Sequence, residues 1–199
     1  NVKHSWERRR ETLETNLMGT FYLFEGVRKF FPQARILFVS SSDFYGVLAP
    51  TEKALREEDS SHVVNPYAFT KVSGEILSKF YAEIENLDIV IARSFPHTGP
   101  GQSADFVCSD WALQIARIEK GDGKYEIRVG DISVQRDYTD VRDVVKAYVL
   151  LLEKGKRGEI YNICSGKTYS LQRILHLLLS FSSQHIEIVV DPKKVRKTE

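Results

Sequence analysis

The sequence predicts an α/β fold built on a mainly parallel sheet. Short apolar runs at Arg35–Val39, Asp88–Ala92 and Ile160–Ile163 read as strands buried on both faces, and stretches of helical periodicity alternate with them. The third observation is balance. Apolar residues make up 42% and charged residues 28% of 199 positions, enough for a core and too even for disorder.

Lysine plus arginine, 28, nearly cancel aspartate plus glutamate, 27, so no global field attracts nucleic acid or an anionic membrane. No apolar run approaches the roughly 20 residues that span a bilayer. Cys108 and Cys164 make neither a metal pair nor a disulfide framework, which suits a reducing compartment, the cytoplasm.

Each element has a local reason. Ser5 is a candidate cap for a first helix whose stripe, Leu13, Leu17, Phe21 and Phe24, runs to about Phe30 before Pro32 ends it. The strand Arg35–Val39 follows. A charged loop from Thr51 to Ser61 leads to Asn65-Pro66, a helix-start signal for a helix to about Ile84. The strand Asp88–Ala92 gives way to a loop, Pro96 to Gly101, and then to a helix from about Asp105 to Glu119. Beyond a turn at Gly121-Asp122-Gly123 come a strand near Tyr125–Val129, a helix Val141–Glu153 and the strand Ile160–Ile163. A last helix, Leu171 to Phe181, leads to the strand Ile186–Val190.

Two strings carry candidate chemistry. Tyr67 and Lys71 stand four apart, one above the other on a helix face. An ammonium beside a phenol favours the phenolate, and the spacing predicts a tyrosine pKa drawn from about 10 toward neutrality for acid–base work. An ordinary exposed helix pair has the same spacing. Immediately after the first buried strand comes Ser40-Ser41-Ser42-Asp43-Phe44-Tyr45-Gly46, three hydroxyls and a carboxylate at the strand end where open α/β sheets bind ligands. A serine-rich turn is the plainer reading of that string alone.

Taken together with Asn65-Pro66-Tyr67-Ala68-Phe69-Thr70-Lys71, these strings resemble the extended short-chain dehydrogenase/reductase family acting on nucleotide sugars. The resemblance continues through Arg93-Ser94-Phe95-Pro96-His97-Thr98-Gly99-Pro100-Gly101-Gln102 and Gln135-Arg136-Asp137-Tyr138-Thr139-Asp140-Val141-Arg142-Asp143. Tyr161 to Gly166 and Asp191 to Glu199 complete it, and the set is most similar to the branch that handles GDP-mannose and its 4-keto-6-deoxy product.

The resemblance implies a Rossmann-like, doubly wound parallel sheet, of which only the later strands lie here, with a smaller substrate-binding subdomain. Residues 1–95 would carry the later part of the dinucleotide-binding domain. Residues 96–199 would be mainly nucleotide-sugar-binding, with returns to the main sheet. The implied cofactor is NADP or NAD, the substrate a GDP-linked sugar, and the assembly a homodimer formed through the first helix and the Tyr67 helix.

By the same resemblance, Tyr67 exchanges a proton with the sugar C4 oxygen, Ser41 hydrogen-bonds that oxygen, and Lys71 tunes Tyr67 while holding the nicotinamide ribose. Ser40 joins Tyr67 and Lys71 at the cofactor. Ser42, Arg93, His97, Phe106, Val107, Arg136, Arg196 and Glu199 fall on the substrate side, the two arginines Arg136 and Arg196 near the pyrophosphate, where a planar guanidinium fork suits the oxygens. Asp43 separates two chemistries. Dehydratases of the branch carry glutamate there as the C5 base, and aspartate is one methylene, about 1.5 Å, shorter. The favoured reading is therefore reduction of a 4-keto sugar, with 4,6-dehydration as the alternative.

Two departures stand out. Pro96 occupies the place of a substrate-contacting asparagine and brings neither a side-chain donor nor a backbone N–H. None of the 12 glycines forms the Gly-rich turn that cradles a dinucleotide, and the match implies that this turn precedes Asn1. The chain then reads as part of a complete enzyme; the contrasting expectation is a truncated, inactive fragment serving as an interaction module.

Overall fold

The computed structural model describes residues 2–46, 54–122 and 124–195. The first half holds α1 (Val2–Glu7), α2 (Arg9–Leu13), α3 (Gly19–Phe30), β1 (Arg35–Ser41), α4 (Pro66–Glu83), β2 (Asp88–Ser94) and β3 (His97–Thr98). There follow α5 (Val107–Glu119), β4 (Glu126–Val129), β5 (Gln135–Arg136), β6 (Thr139–Asp140) and α6 (Val141–Lys154). The last elements are β7 (Ile160–Ile163), β8 (Tyr169–Ser170), α7 (Leu171–Leu179) and β9 (Glu187–Val190). No helix among the described residues is long and apolar enough to cross a membrane.

The chain divides into two compact units. The first comprises the residues up to Phe95 together with Asp143–Cys164. Its sheet has the order β1-β2-β7, parallel throughout, with Ser41 in register with Ser94 and Arg93 with Asn162. β2 is the central strand, and its alternation serves both faces. Ile89 and Ile91 pack with Phe24, Phe38 and Tyr81 under α3 and α4, while Val90 and Ala92 pack with Leu151 of α6. Each such side chain, fully buried, contributes about 1.5–3 kcal/mol relative to exposure.

The opening helical stretch differs from the expected single helix. Ser5 is no cap: it lies inside α1, buried, and its Oγ donates to the Val2 carbonyl at 2.7 Å. Such local back-bonding is a serine's alternative to capping. The backbone leaves helical geometry at Arg8 (φ −127°, ψ 56°), and Glu14–Met18 forms a π-helical turn between α2 and α3. That wider turn is where Asn16 reaches α4, its Nδ2 donating to Thr70 Oγ1 at 3.1 Å.

The second unit comprises Pro96–Arg142 and the residues from Ser165 on. Trp111, Ile115 and Ile118 of α5 pack with Leu171 and Leu175 of α7 and with Ile127 and Val129 of β4. β4 pairs with β9 in parallel, β3 with β6 in parallel, and β5 with β8 antiparallel. The two-residue pairings, β3 with β6 and β5 with β8, escape sequence reading because they are too short to show a period.

Gly46 closes the turn after β1 with φ +71°, and a Cβ there would fall 2.4 Å from the His62 carbonyl oxygen. Both conditions demand glycine. Gly46→Ala is expected to lower stability by about 1–3 kcal/mol in urea unfolding. Gly26→Ala, on α3 with no atom within 4 Å of the added methyl, is expected to raise it by about 0.5–1 kcal/mol.

Candidate active site

The site grows from the carboxyl end of β1. Ser41 ends the strand and caps a 3-10 turn, Ser42–Tyr45, its Oγ accepting the Asp43 N–H at 3.2 Å. Opposite, Asn65 caps α4 by accepting the Ala68 N–H at 2.7 Å, with Pro66 as the first helical residue. The cap fixes where the helix begins, and so places Tyr67 in its first turn and Lys71 one turn on. The Ser41 hydroxyl acts on the Tyr67 phenol, favouring its ionised form. In register with Ser41, Ser94 pairs its hydroxyl with that of Tyr148 on α6.

Electrostatics here correct the expectation drawn from the Tyr–Lys spacing. The Tyr67 pKa is pushed up to about 12, first by burial, then by the charge of Asp43, with the Ser41 hydrogen bond pulling the other way. Lys71 does not oppose this. Its Nζ donates to the Val39 carbonyl at 2.8 Å and stands 5.7 Å from the Tyr67 ring centre, and burial lowers its own pKa. Tyr67 is therefore a loaded proton donor at neutral pH.

Asp43 and Ser42 lie half-buried on the turn beside Ser41, and the charge of Asp43 disfavours ionisation of Tyr67. Two other residues sit differently from expectation. Ser40, assigned to the cofactor, is 2% exposed, and strand alternation turns it to the face opposite Ser41, where its Oγ has no partner. Arg93, assigned to the substrate, is likewise 2% exposed. Its Nε and Nη2 donate to Glu75 at 2.9 and 2.8 Å, and its Nη1 donates to the Tyr45 hydroxyl at 2.9 Å and the Glu57 carbonyl at 2.8 Å. A guanidinium so engaged has its fork turned to protein acceptors rather than to a ligand.

In the second unit, His97 opens β3 and lines, with Thr98 to Gln102 and Val141, a cavity of about 300 Å³. Pro96 offers its carbonyl to the Thr139 N–H at 3.0 Å. Phe106 precedes α5 and is 46% exposed, Val107 is the first helical residue, and Arg136 on β5 donates Nη1 to the Gln135 carbonyl at 2.8 Å. Arg136 is followed by buried Asp137, whose carboxylate accepts from the Ser165 N–H and hydroxyl and the Gly166 N–H at 2.6–2.9 Å. Arg196 and Glu199 lie outside the described residues.

Sequence reading missed Glu75, Tyr148 and Asn162. Glu75 had a signal: it stands four residues after Lys71, continuing the Tyr67–Lys71 row on a helix whose neighbouring positions, Gly74 and Ser78, are buried.

A tyrosine whose pKa is about 12 stays almost wholly protonated up to about pH 10. Ultraviolet titration of the wild type and of Tyr67→Phe is expected to give the same tyrosinate absorbance up to about pH 10. An extra ionisation near neutrality in the wild type would contradict this assignment.

The model for the GDP-mannose 4,6 dehydratase family matches residues 1–199. GDP-6-deoxy-D-mannose reductase of Pseudomonas aeruginosa is 38% identical over 188 residues, covering 94% of this chain and 62% of that protein. The structure of RMD from Pseudomonas aeruginosa complexed with NADPH superposes with a TM-score of 0.94 at 36% identity, covering 100% of this chain and 66% of that one. A dTDP-glucose 4,6-dehydratase from Bacillus anthracis in complex with NAD matches with a TM-score of 0.76 at 27% identity, covering 89% and 56%. The chain thus spans less than two thirds of the length of these relatives. Its parallel β1-β2-β7 sheet is the Rossmann-like sheet of these enzymes, and the chain belongs to the GDP-mannose 4,6 dehydratase family.

Proposed function

We propose that the complete protein carrying this chain is an NAD(P)-dependent sugar-nucleotide reductase that reduces the C4 carbonyl of a GDP-4-keto-6-deoxy-hexose. The observation that carries the reading is Tyr67, held protonated beside Ser41 at the carboxyl end of β1. The names of GDP-6-deoxy-D-mannose reductase and of RMD complexed with NADPH, both from Pseudomonas aeruginosa, support the substrate and cofactor class.

Tyr67 and Lys71 fit a nicotinamide nucleotide by their chemistry, a phenol and an ammonium one turn apart at the carboxyl end of a parallel sheet. A bound nicotinamide supplies the hydride. The chain's own residues handle charge and proton. As C4 is reduced, negative charge develops on O4; the Ser41 hydroxyl donates to it, and Tyr67 delivers its proton there. Lys71 would help hold the nicotinamide nucleotide, and its ammonium would stabilise the phenolate left behind. His97, Phe106, Val107, Arg136, Arg196 and Glu199 are the residues proposed for the nucleotide-sugar.

Asp43 supports a second reading, 4,6-dehydration, because it brings a carboxylate to the turn after Ser41, whose charge acts on Tyr67. Its short side chain argues against C5 proton abstraction. Incubation with GDP-mannose and oxidised cofactor separates the two: the reductase reading expects no 4-keto sugar, and efficient formation of one would replace it.

Tyr67→Phe in the full-length protein is expected to reduce turnover of GDP-4-keto-6-deoxymannose by about 10²–10⁴-fold, with the nucleotide dissociation constant nearly unchanged. Unchanged turnover would remove Tyr67 from the mechanism. We propose also that the protein is a homodimer, since α4 leaves Phe69, Ile76 and Phe80 47–66% exposed. Ile76→Asp is expected to shift the mass seen in light scattering toward the monomer; an unchanged mass would place any interface elsewhere.

A further inference from the structure

Arg93 and Glu75 take no part in the proton transfer, yet they make the most buried ion pair among the described residues, with side chains only 3% and 4% exposed. The pair lies where four chemically important pieces of the first unit meet. Glu75 belongs to α4, two turns below Tyr67 and one below Lys71. Arg93 belongs to β2, one residue before Ser94. The guanidinium stacks 3.4 Å from the ring centre of Phe44, and its Nη1 donates to the hydroxyl of Tyr45, so it grips the far end of the turn that begins at Ser42.

Tyr45 is the hinge pin of this arrangement. Its hydroxyl accepts from Arg93 and reaches the Asn162 Oδ1 of β7 at 2.7 Å and the Arg56 carbonyl at 3.0 Å. The Asn162 N–H in turn donates to Glu57 Oε1 at 2.8 Å, and the Glu57 carbonyl accepts from Arg93. The turn is thus held at one end by β1 through Ser41 and at the other by one phenol hydroxyl. Between these two points stands Asp43.

We propose that Tyr45 is a positioning residue: through Arg93 and Glu75 it locks the Ser42–Tyr45 turn, and with it Ser41 and Asp43, against the helix that carries Tyr67 and Lys71. The proposal deepens the reductase reading and rests on it for its kinetic part only. Arginine suits the role because its planar fork satisfies a carboxylate and a second acceptor together while stacking on an aromatic ring; lysine offers one point charge.

The test uses two variants of the full-length protein. Tyr45→Phe removes one hydroxyl and keeps the ring and its edge contact with Phe44. The double variant Arg93→Met/Glu75→Met removes the pair together, and a buried pair replaced by apolar side chains is often no less stable. In both, kcat for GDP-4-keto-6-deoxymannose is expected to fall about tenfold while KM for NADPH stays within about twofold, since small misplacements of reacting groups act on turnover. Amide exchange at Gly46 and His62, whose N–H groups tie to the turn's Asp43 and Phe44 carbonyls, is expected to quicken about tenfold, with α4 unchanged. Turnover within about twofold of wild type in both variants overturns the proposal, as does faster exchange spread equally over α4, which marks general loosening. If the wild type itself fails to reduce the 4-keto sugar, the reductase reading falls, and exchange at Gly46 and His62 decides the positioning claim alone.

Discussion

The buried contact between Arg93 and Glu75 organises the first unit. Taking two opposite charges out of water is unfavourable unless each finds enough partners, and here the guanidinium finds Glu75, Tyr45, the Glu57 carbonyl and the face of Phe44. Removing one partner alone would leave an uncompensated buried charge, at about 3–5 kcal/mol. The consequence is geometric. Helix α4, strand β2, the turn after β1 and the end of β7 cannot shift independently without breaking a charged hydrogen bond. The two groups with the strictest positional demand, Ser41 and Tyr67, come from two of those pieces.

That geometry also explains the ionisation of the site. Tyr67 lies half-buried under the influence of an anionic group, Asp43, while the cation four residues along its helix is drawn to the Val39 carbonyl. Burial and the like-signed neighbour both favour the neutral phenol. A neutral phenol beside a hydroxyl at the carboxyl end of a parallel sheet is suited to give a proton, which is what reduction of a carbonyl requires of its protein partner.

How much of this was legible in the sequence varies with the range of the interaction responsible. Elements set locally were readable: the Asn65-Pro66 start of α4, the doubly buried run of β2, and the strand–turn step from Ser41 into Asp43 all follow from neighbours in sequence. The first helix was legible as helical, but its break at Arg8 and its π-helical turn were not; in that turn Asn16 answers to Thr70, 54 residues away. Side-chain surroundings were not legible where long-range burial decided them. Arg93 carries the charge a phosphate would want, and only the fold reveals Glu75 already bound to it. Ser40 carries the hydroxyl a cofactor would want, and only strand alternation turns it inward. Spacing alone proposed a lowered Tyr67 pKa; it could show neither the burial nor the proximity of Asp43.

The proposed role of Tyr67 and Ser41 is carbonyl reduction at C4 of a GDP-linked 4-keto sugar. Its most direct measurement follows an isotope in the full-length protein. GDP-4-keto-6-deoxymannose would be supplied with NADPH carrying deuterium at the transferable position, and the product examined by proton NMR. Deuterium is expected bonded to C4 of a GDP-6-deoxy-hexose, formed by the wild type and lost in Tyr67→Phe. Recovery of the keto sugar unlabelled from the wild type, with the cofactor still reduced, would contradict it.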